Sequence, residues 1–186
     1  MLAYVFWHWR RLEVDRASYE AKLGAFHAML DSHKPMGFVS STVFSLPRAP
    51  WLDTGNDAYE DWYLLENSGA MDVLNDYAVS GVSEQPHDAI AMHATGGTAG
   101  LYRLRAGSDN QREMKYASWF AKPRGVRYAE MYSELESLAS LEDCSLWGRQ
   151  MTLGPTEEFC IQSRNPLDLP LSFTSLTIPL WRVWPN

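Results

Sequence analysis

Apolar and polar side chains alternate at the start of the chain in the way expected of a β-strand. Aromatic and β-branched residues dominate Tyr4 to Leu12, and no glycine or proline interrupts them. An apolar stripe at helical spacing follows, formed by Tyr19, Leu23, Phe26 and Leu30. The pattern predicts a strand and then a helix, which Asp15 or Ser18 caps. The helix should end at or before Lys34, because Pro35 disfavours helical geometry in the residue before it.

Five further elements complete the first half of the chain. They are a strand at Phe38–Leu46, a strand at Ala58–Glu66, a helix capped by Asn67 or Ser68, a short helix at Pro86–Ala94 and a strand at Leu101–Arg105. Two breaker-rich segments separate them: Pro47–Asp57 predicts a long loop, and Gly96–Gly100 predicts a turn. The resulting order, β-α-β-β-α-β with one extra helix, is that of a ferredoxin-like sheet.

The pattern then begins again in the second half of the chain. Its elements are a strand at Tyr116–Ala121, a helix at Val126–Leu138 and strands at Ser145–Leu153 and Glu158–Ser163. The aromatic pair Tyr4 and Trp7 recurs, at the same internal spacing, as Tyr116 and Trp119. The same α+β unit is therefore predicted to occur twice.

The second unit departs from the pattern near its end. Prolines interrupt Asn165–Pro170, so no second helix can form there. The segment Phe173–Trp184 is strand-like but contains Pro179, which places any strand at an edge or breaks it. We predict an α+β fold of two ferredoxin-like βαββαβ repeats, at residues 1–112 and 113–186. Their antiparallel sheets are expected to pack face to face, with the helices outside.

This doubled element order resembles the dimeric α/β-barrel superfamily in its tandem, single-chain form. The resemblance covers nearly the whole chain and rests on the order of elements; no signature motif is matched, so no catalytic residue is carried over. The superfamily includes cofactor-free monooxygenases, ether-degradation-associated proteins, lactone isomerases, haem-dependent relatives of chlorite dismutase and stress-response proteins of unknown role. The resemblance implies a protein that holds a small molecule.

Composition narrows the range of partners. The chain holds 8 Trp, 9 Tyr and 7 Phe, and such side chains fill cores or line ligand pockets. A net charge of −7 without a dense Lys/Arg cluster argues against a nucleic-acid partner. No apolar run is long enough for a membrane span, and Cys144 and Cys160 lack the spacing of a metal site or a disulfide framework. We predict a cytoplasmic protein with reduced cysteines and no membrane contact.

Alternation along the first strand separates two sets of side chains. The apolar set is Val5, Trp7 and Trp9, and the more polar set is Tyr4, Phe6, His8 and Arg10. We expect helices to cover the apolar set and the polar set to face a cavity between the two sheets. In a ferredoxin-like sheet the first strand lies between the third and the fourth. Asp61 and Tyr63 from the third strand and Arg103 from the fourth would then converge on the first.

These residues suit proton transfer. His8 is the candidate base, since histidine exchanges protons near neutral pH. Asp61 would orient it, Tyr63 completes the catalytic set, and Arg103 would hold an anionic oxygen of the substrate. The remaining candidates for substrate binding are Arg10, Phe6 and Trp51. In the alternative reading, His8 and Tyr63 are hydrogen-bonded core residues and the arginines are solvated strand ends.

No metal site is predicted. His27 and His33 are six residues apart, as are His87 and His93, so neither pair presents both rings on one helical face. We expect His27 to be a half-buried packing residue. The Gly96–Gly100 stretch lacks the lysine of a phosphate-binding loop. No cofactor is predicted, and haem held by a lone histidine stays open.

The sequence therefore predicts a small-molecule-binding protein, in one version a cofactor-independent oxygenase or isomerase acting on a hydrophobic or aromatic substrate. The alternative is a non-catalytic protein whose aromatic faces serve homo-oligomerisation, with Trp51 on the long loop as the interface anchor. A hollow space lined by His8, Tyr63 and Arg103 would favour binding. A filled layer of tryptophan and phenylalanine would favour the structural version.

Overall fold

The computed structural model describes residues 1–52, 57–139, 143–170 and 172–185. The strands are β1 (Leu2–Arg10), β2 (Phe38–Leu46), β3 (Ala58–Leu65), β4 (Ala94–Gly107), β5 (Tyr116–Phe120), β6 (Cys144–Arg149), β7 (Phe159–Ser163), β8 (Ser175–Pro179) and β9 (Trp181–Trp184). The helices are α1 (Arg16–His33), α2 (Gly69–Ala78), α3 (Glu84–Ala91) and α4 (Tyr128–Ala139). The predicted α+β class is confirmed.

Helix α1 follows its sequence signals closely. Asp15 caps its first turn, where the side-chain Oδ2 accepts a hydrogen bond of 2.9 Å from the backbone N–H of Ser18. The helix ends at His33, and Lys34 adopts the left-handed conformation just before Pro35. The predicted apolar stripe is buried along its whole length. Within the described part of the chain, neither this helix nor any other has the length and apolar character needed to cross a membrane.

The fourth strand is longer than predicted. The expected turn at Gly96–Gly100 is wrong, because these glycines lie within β4 and pair with β1. Their lack of a side chain makes room for the aromatic rings of β1. A Cβ atom at Gly96 would lie 2.7 Å from Cζ2 of Trp9, and one at Gly97 would overlap the ring of Phe6. The glycines therefore serve close packing rather than a change of direction.

The described strands form one sheet, in the order β8-β5-β7-β6-β4-β1-β3-β2-β9. The first four strands have the predicted order β4-β1-β3-β2, and the next four repeat it as β8-β5-β7-β6. The prediction of two separate sheets is wrong, because β4 and β6 pair with each other. Strands β8 and β9 stand at opposite ends of the sheet, yet only Leu180 separates them in sequence. The sheet must therefore curl until its two ends meet, as a barrel.

Tryptophan side chains from both halves fill the inside of this barrel. Its largest fully buried rings are Trp7, Trp62, Trp119 and Trp147. The ring centroids of Trp7 and Trp119 lie 5.8 Å apart, and those of Trp62 and Trp147 lie 5.2 Å apart. The interior also holds the fully buried carboxyl of Glu60, which accepts hydrogen bonds from Nε1 of Trp7 at 2.6 Å and of Trp62 at 2.5 Å.

The two faces of β1 are therefore the reverse of the prediction. Val5 and Trp7 belong to the barrel interior, while Tyr4 and Phe6 pack with α1 and α2 on the outside. His8 also lies under the helices, next to Tyr19 of α1. The physical reason is that a closed barrel leaves no access for water, so it takes the bulkiest apolar set. The helix layer leaves gaps where polar groups and a cavity can lie.

Candidate functional site

A cavity of about 540 Å³ lies between the outer face of the sheet and helices α1, α2 and α3. Its lining is mostly apolar and includes Phe6, Leu23, Phe26, Met71, Leu74 and Ile90. A group of polar side chains lies at the sheet, formed by His8, Tyr19, Asp61 and Tyr63. A volume of this size, apolar with a few convergent polar groups, is ordinary for a small-molecule site.

His8 links two of these polar groups. Its Nδ1 lies 2.6 Å from the hydroxyl of Tyr19 on α1, and its Nε2 lies 3.0 Å from Oδ1 of Asp61 on β3. The exposed fractions of His8, Tyr19 and Asp61 are 3%, 0% and 2%. We call this arrangement the Tyr19–His8–Asp61 chain. It connects the helix layer to the sheet and forms part of the cavity wall.

The same carboxylate holds a second histidine. Oδ2 of Asp61 lies 3.2 Å from Nε2 of His27 on α1 and accepts a hydrogen bond of 3.1 Å from the hydroxyl of Tyr63. Nδ1 of His27 lies 2.8 Å from the hydroxyl of Ser41 on β2. His27 is fully buried behind the wall, whereas Tyr63 lines the cavity. Asp61 thus organises hydrogen bonds among two histidines and a tyrosine.

Asp61 carries a negative charge in this setting. Burial by itself would raise the pKa of its carboxyl, but the facing rings of His8 and His27 and their hydrogen bonds outweigh burial and hold the pKa below its usual range. An ionised carboxylate only accepts hydrogen bonds, so Nε2 of each histidine carries the hydrogen that it shares with Asp61. In neutral His8, Nδ1 is then an acceptor, and Tyr19 donates to it.

Tyr19 and Tyr63 are neutral hydroxyl groups. Burial, followed by the nearby charge of Asp61, raises the pKa of both phenols well above the ordinary value. Tyr63 donates to Asp61, and Tyr19 donates to neutral His8. If His8 takes up a proton, its Nδ1–H donates to the phenol oxygen instead, because an imidazolium has no acceptor. The hydroxyl hydrogen of Tyr19 then becomes available to a molecule in the cavity.

The predicted catalytic residues His8, Asp61 and Tyr63 lie together, but in a different place from the one expected. They face the helices rather than the barrel interior. The polar cluster nevertheless forms, because Asp61 and Tyr63 are two residues apart and so share one face of β3. Strand β1, which carries His8, is the direct neighbour of β3.

Arg103 does not join this cluster, and its predicted convergence is wrong. The register of β4 on β1 sets Arg103 opposite Leu2, whereas Gly97 is opposite His8. Six residues along a strand separate the two positions by about 20 Å. The Arg103 side chain is exposed, and its Nε donates to Gln150 at 3.3 Å. The strand order was as predicted, but the register was not visible in the sequence.

Of the three other predicted binding residues, only Phe6 lines the described cavity. Arg10 donates to a backbone carbonyl that does not line the cavity. Nη2 of Arg10 lies 3.5 Å from Oδ2 of Asp57. Trp51 packs on the barrel interior, with its ring centroid 5.4 Å from that of Trp119. Trp51 is half-buried and packs its ring on the barrel interior, so it does not have the exposed position expected of an interface anchor.

Sequence reasoning missed three members of the site, Tyr19, His27 and Ser41. Tyr19 was identified only as part of the apolar stripe of α1. His27 is not the half-buried packing residue that was predicted, because it is fully buried and hydrogen-bonded through both ring nitrogens. A signal was present, since Tyr19, Leu23 and His27 follow at intervals of four residues and share one face of the helix.

The described residues contain no group of three or more His, Cys, Asp or Glu side chains that would hold a metal ion. Haem does not fit on His8 or His27, because each of their ring nitrogens already has a hydrogen-bond partner in the network. His87 lines the cavity from α3 and places Nδ1 3.1 Å from Asp88. Among the described histidines that line the cavity, His87 is therefore the one that would hold a haem iron, through Nε2.

Solved structures with the same fold support this architecture. A candidate monooxygenase from Lactobacillus acidophilus NCFM is 13% identical, with a TM-score of 0.59 over 98% of this chain and 94% of that one. An anthrone oxidase-like protein is 10% identical, with a TM-score of 0.52 over 96% of this chain and 90% of that one. A chlorite dismutase candidate is 9% identical, with a TM-score of 0.50 over 98% and 95%.

These likenesses concern the fold. The predicted resemblance is confirmed as a shared fold over nearly the whole of this chain. No protein-family model matches the sequence, and no curated protein matches it either. The chemistry of this chain therefore has to be argued from its own side chains.

Proposed function

We propose that this protein binds a small, hydrophobic, aromatic molecule in the outer cavity and withdraws a proton from it without a cofactor. The observation that carries the proposal is the Tyr19–His8–Asp61 chain in the wall of a mostly apolar cavity of about 540 Å³. A base held by a buried carboxylate is the arrangement that proton abstraction needs. The apolar side chains of the lining supply a surface on which an aromatic substrate can rest beside that base.

The proton path follows from the hydrogen-bond roles. In the reactive form His8 carries no proton on Nδ1 and accepts the hydrogen bond of Tyr19, so the phenol oxygen of Tyr19 can take a proton from the substrate as its own proton passes to Nδ1. The imidazolium that forms is stabilised by Asp61, which already accepts from its Nε2 at 3.0 Å. The substrate is left as an enolate or phenolate. The positive charge on His8 and a hydrogen bond from the hydroxyl of Tyr19 stabilise the negative charge on the substrate.

Such an anion has two outcomes. Return of the proton at a different carbon gives an isomerase, and electron transfer from the anion to molecular oxygen as the oxidant gives an oxygenase. The fold neighbours favour the second outcome by analogy, since one is described as a candidate monooxygenase and another as anthrone oxidase-like. Anthrone, a flat aromatic ketone with an acidic methylene group, is therefore the first probe.

The test separates proton abstraction from the later steps. Exchange of the anthrone methylene hydrogens with deuterated water is followed by NMR without oxygen, with wild type, His8→Gln and Tyr19→Phe. We expect wild type to accelerate exchange and each variant to lose roughly a hundredfold or more of that acceleration. His87→Gln, which also lines the cavity but lies outside the hydrogen-bond chain, is the matched control. Exchange that is as fast in His8→Gln as in wild type would remove His8 from the mechanism.

Native mass spectrometry of the purified protein tests binding independently of the probe. We expect a retained small aromatic molecule, or binding of added anthrone that Leu74→Trp weakens by filling the cavity. Leu74 lines the cavity from α2 and is buried. A protein that carries no ligand and binds no aromatic probe would refute the proposal as a whole.

We also infer that the chain arose as a tandem duplication with units at residues 1–112 and 113–186. The support is the shared strand order of β4-β1-β3-β2 and β8-β5-β7-β6, each with a helix after its first strand. Co-expression of the two segments as separate chains tests the boundary. Pairing of β4 with β6 and of β2 with β9 should reunite them into a folded complex. Failure to associate would count against these boundaries.

A further inference from the structure

The permanently charged side chains that line the cavity are carboxylates. Among the described residues that line it, the carboxylates are Asp61 and Asp72, and neither lysine nor arginine occurs. The nearest basic residue on β1, Arg10, is directed to Asp57 and to a backbone carbonyl outside the cavity. A ligand in this space therefore meets negative charge, histidines and hydroxyl groups, and no permanent cation.

The two carboxylates act at different depths. Asp61 is 2% exposed and is surrounded by three hydrogen-bond donors. Asp72 lies on α2, one helical turn before Asn75, and both of these exposed residues line the cavity at its outer side. Among the described residues, none donates a hydrogen bond to the Asp72 carboxylate or forms an ion pair with it, whereas two histidines and a tyrosine donate to Asp61. A charged ligand that enters the cavity would therefore interact electrostatically with Asp72.

We propose that the cavity selects uncharged and cationic aromatic ligands and rejects anionic ones, with Asp72 as the specificity-determining residue. This inference rests on the proposed function and names its substrate class. It agrees with the proposed chemistry, because a substrate that gives up a proton to Tyr19 and His8 must arrive with that proton. An aromatic carboxylate would instead place its charge near Asp61 or Asp72, with no arginine or lysine to receive it.

Asp72 also has a structural role, and the experiment must separate that role from its effect on ligand charge. It lies in the first turn of α2, where a carboxylate stabilises the positive end of the helix dipole. Loss of that role would lower stability without regard to the charge of a ligand. The discriminating readout is therefore the ratio of affinities for ligands of equal size and different charge.

The experiment measures binding by calorimetry at low, constant salt. The probes are naphthalene methanol, naphthylmethylammonium and naphthoate, which share one ring system and differ in charge. Wild type is compared with Asp72→Asn, and Asp76→Asn is the control, since Asp76 is an exposed carboxylate one turn further along α2 that does not line the cavity. We expect naphthoate to bind at least roughly tenfold more weakly than the neutral alcohol in wild type.

In Asp72→Asn the affinity ratio of ammonium to carboxylate should fall by roughly tenfold, and in Asp76→Asn it should stay at the wild-type value. Equal binding of all three probes, or the same ratio in both variants, would overturn the charge selection while leaving the proposed function in place. Failure of wild type to bind any of the three would refute both. The two failures are therefore distinguishable.

Discussion

Glu60 gives the sharpest test of how this barrel is held together. Its carboxyl is fully buried among tryptophans, and the ion pairs of the described residues do not include it. Burial raises its pKa from 4.5 to about 7, against the opposing effect of the hydrogen bonds from Trp62 and Trp7. The charge of Asp61 on the other face of β3 adds to the increase. The folded protein therefore holds the Glu60 proton more tightly than the unfolded chain does.

The consequence for stability has a definite sign. A raised folded-state pKa contributes stability that is fully present below the unfolded pKa of 4.5 and is lost as pH rises through about 7. The difference of about 2.5 pKa units corresponds to about 3 kcal/mol. Raising the pH from about 5 to about 8 should thus remove on the order of 3 kcal/mol of the free energy of unfolding through this one carboxyl.

Glu60→Gln isolates the effect, because glutamine has similar shape and does not titrate. Its side-chain oxygen can accept from one indole, but its NH₂ group cannot accept from the other, which costs about 1–3 kcal/mol at every pH. Urea unfolding followed by far-UV circular dichroism gives the free energies at about pH 5, 6, 7 and 8. Wild type should be the more stable protein at low pH, and its advantage should shrink as the pH rises. An advantage that does not change with pH would show that the Glu60 carboxyl does not retain its proton.

Two further predictions concern the outer layer. The lowered pKa of Asp61 contributes stability that is present above its unfolded pKa of 3.8 and is lost as pH falls towards the folded pKa. The free energy of unfolding of wild type should therefore fall in acid more steeply than that of Asp61→Asn. Equal dependence on pH in the two proteins would contradict this. Asp15→Ala removes the cap of α1 and should lower the free energy of unfolding by about 1 kcal/mol, whereas Asp15→Asn should lower it by much less. Urea midpoints that fall equally in both Asp15 variants would argue against the cap.

Local signals predicted the elements well, because their causes are local. The Asp15 cap and the proline after Lys34 set the ends of α1, and the strand at Phe38–Leu46 has the predicted bounds. The glycines of β4 misled the prediction because their reason is not local. Glycine at position 96 is needed by the ring of Trp9, a neighbour that only the pairing of β4 with β1 brings near.

The site was predicted in part for the same reason. Alternation placed Asp61 and Tyr63 on one face of a strand, and strand order brought His8 to them. Alternation cannot say which face is inside. Polarity alone predicts that the polar set faces the cavity between the sheets, whereas curling of the sheet encloses a buried tryptophan core instead. The role of His27 was not predicted, because its hydrogen-bond partner Asp61 lies on β3 and not on the same helix.

The strands β1–β4, called the first unit here, and the strands β5–β8, called the second unit, differ at the positions that carry the polar cluster. Trp119 of β5 occupies the barrel interior as Trp7 of β1 does. The next residue along the strand is His8 in the first unit and Phe120 in the second. On the neighbouring strand, the residue after the one paired with the tryptophan is Asp61 in the first unit and Ile161 in the second.

These exchanges change the layer beneath the helices. Phe120 and Ile161 pack with Met131 and Leu135 of α4 in a continuous apolar cluster, whereas His8 and its partners lie beside a cavity. A buried carboxylate with two histidines is costly to bury, and an open cavity forgoes packing. The filled layer under α4 and the tryptophan core offset that cost, since one closed sheet joins both units. The strands β5–β8 with α4 therefore contribute a filled apolar layer, while the strands β1–β4 carry the polar cluster and the candidate cavity.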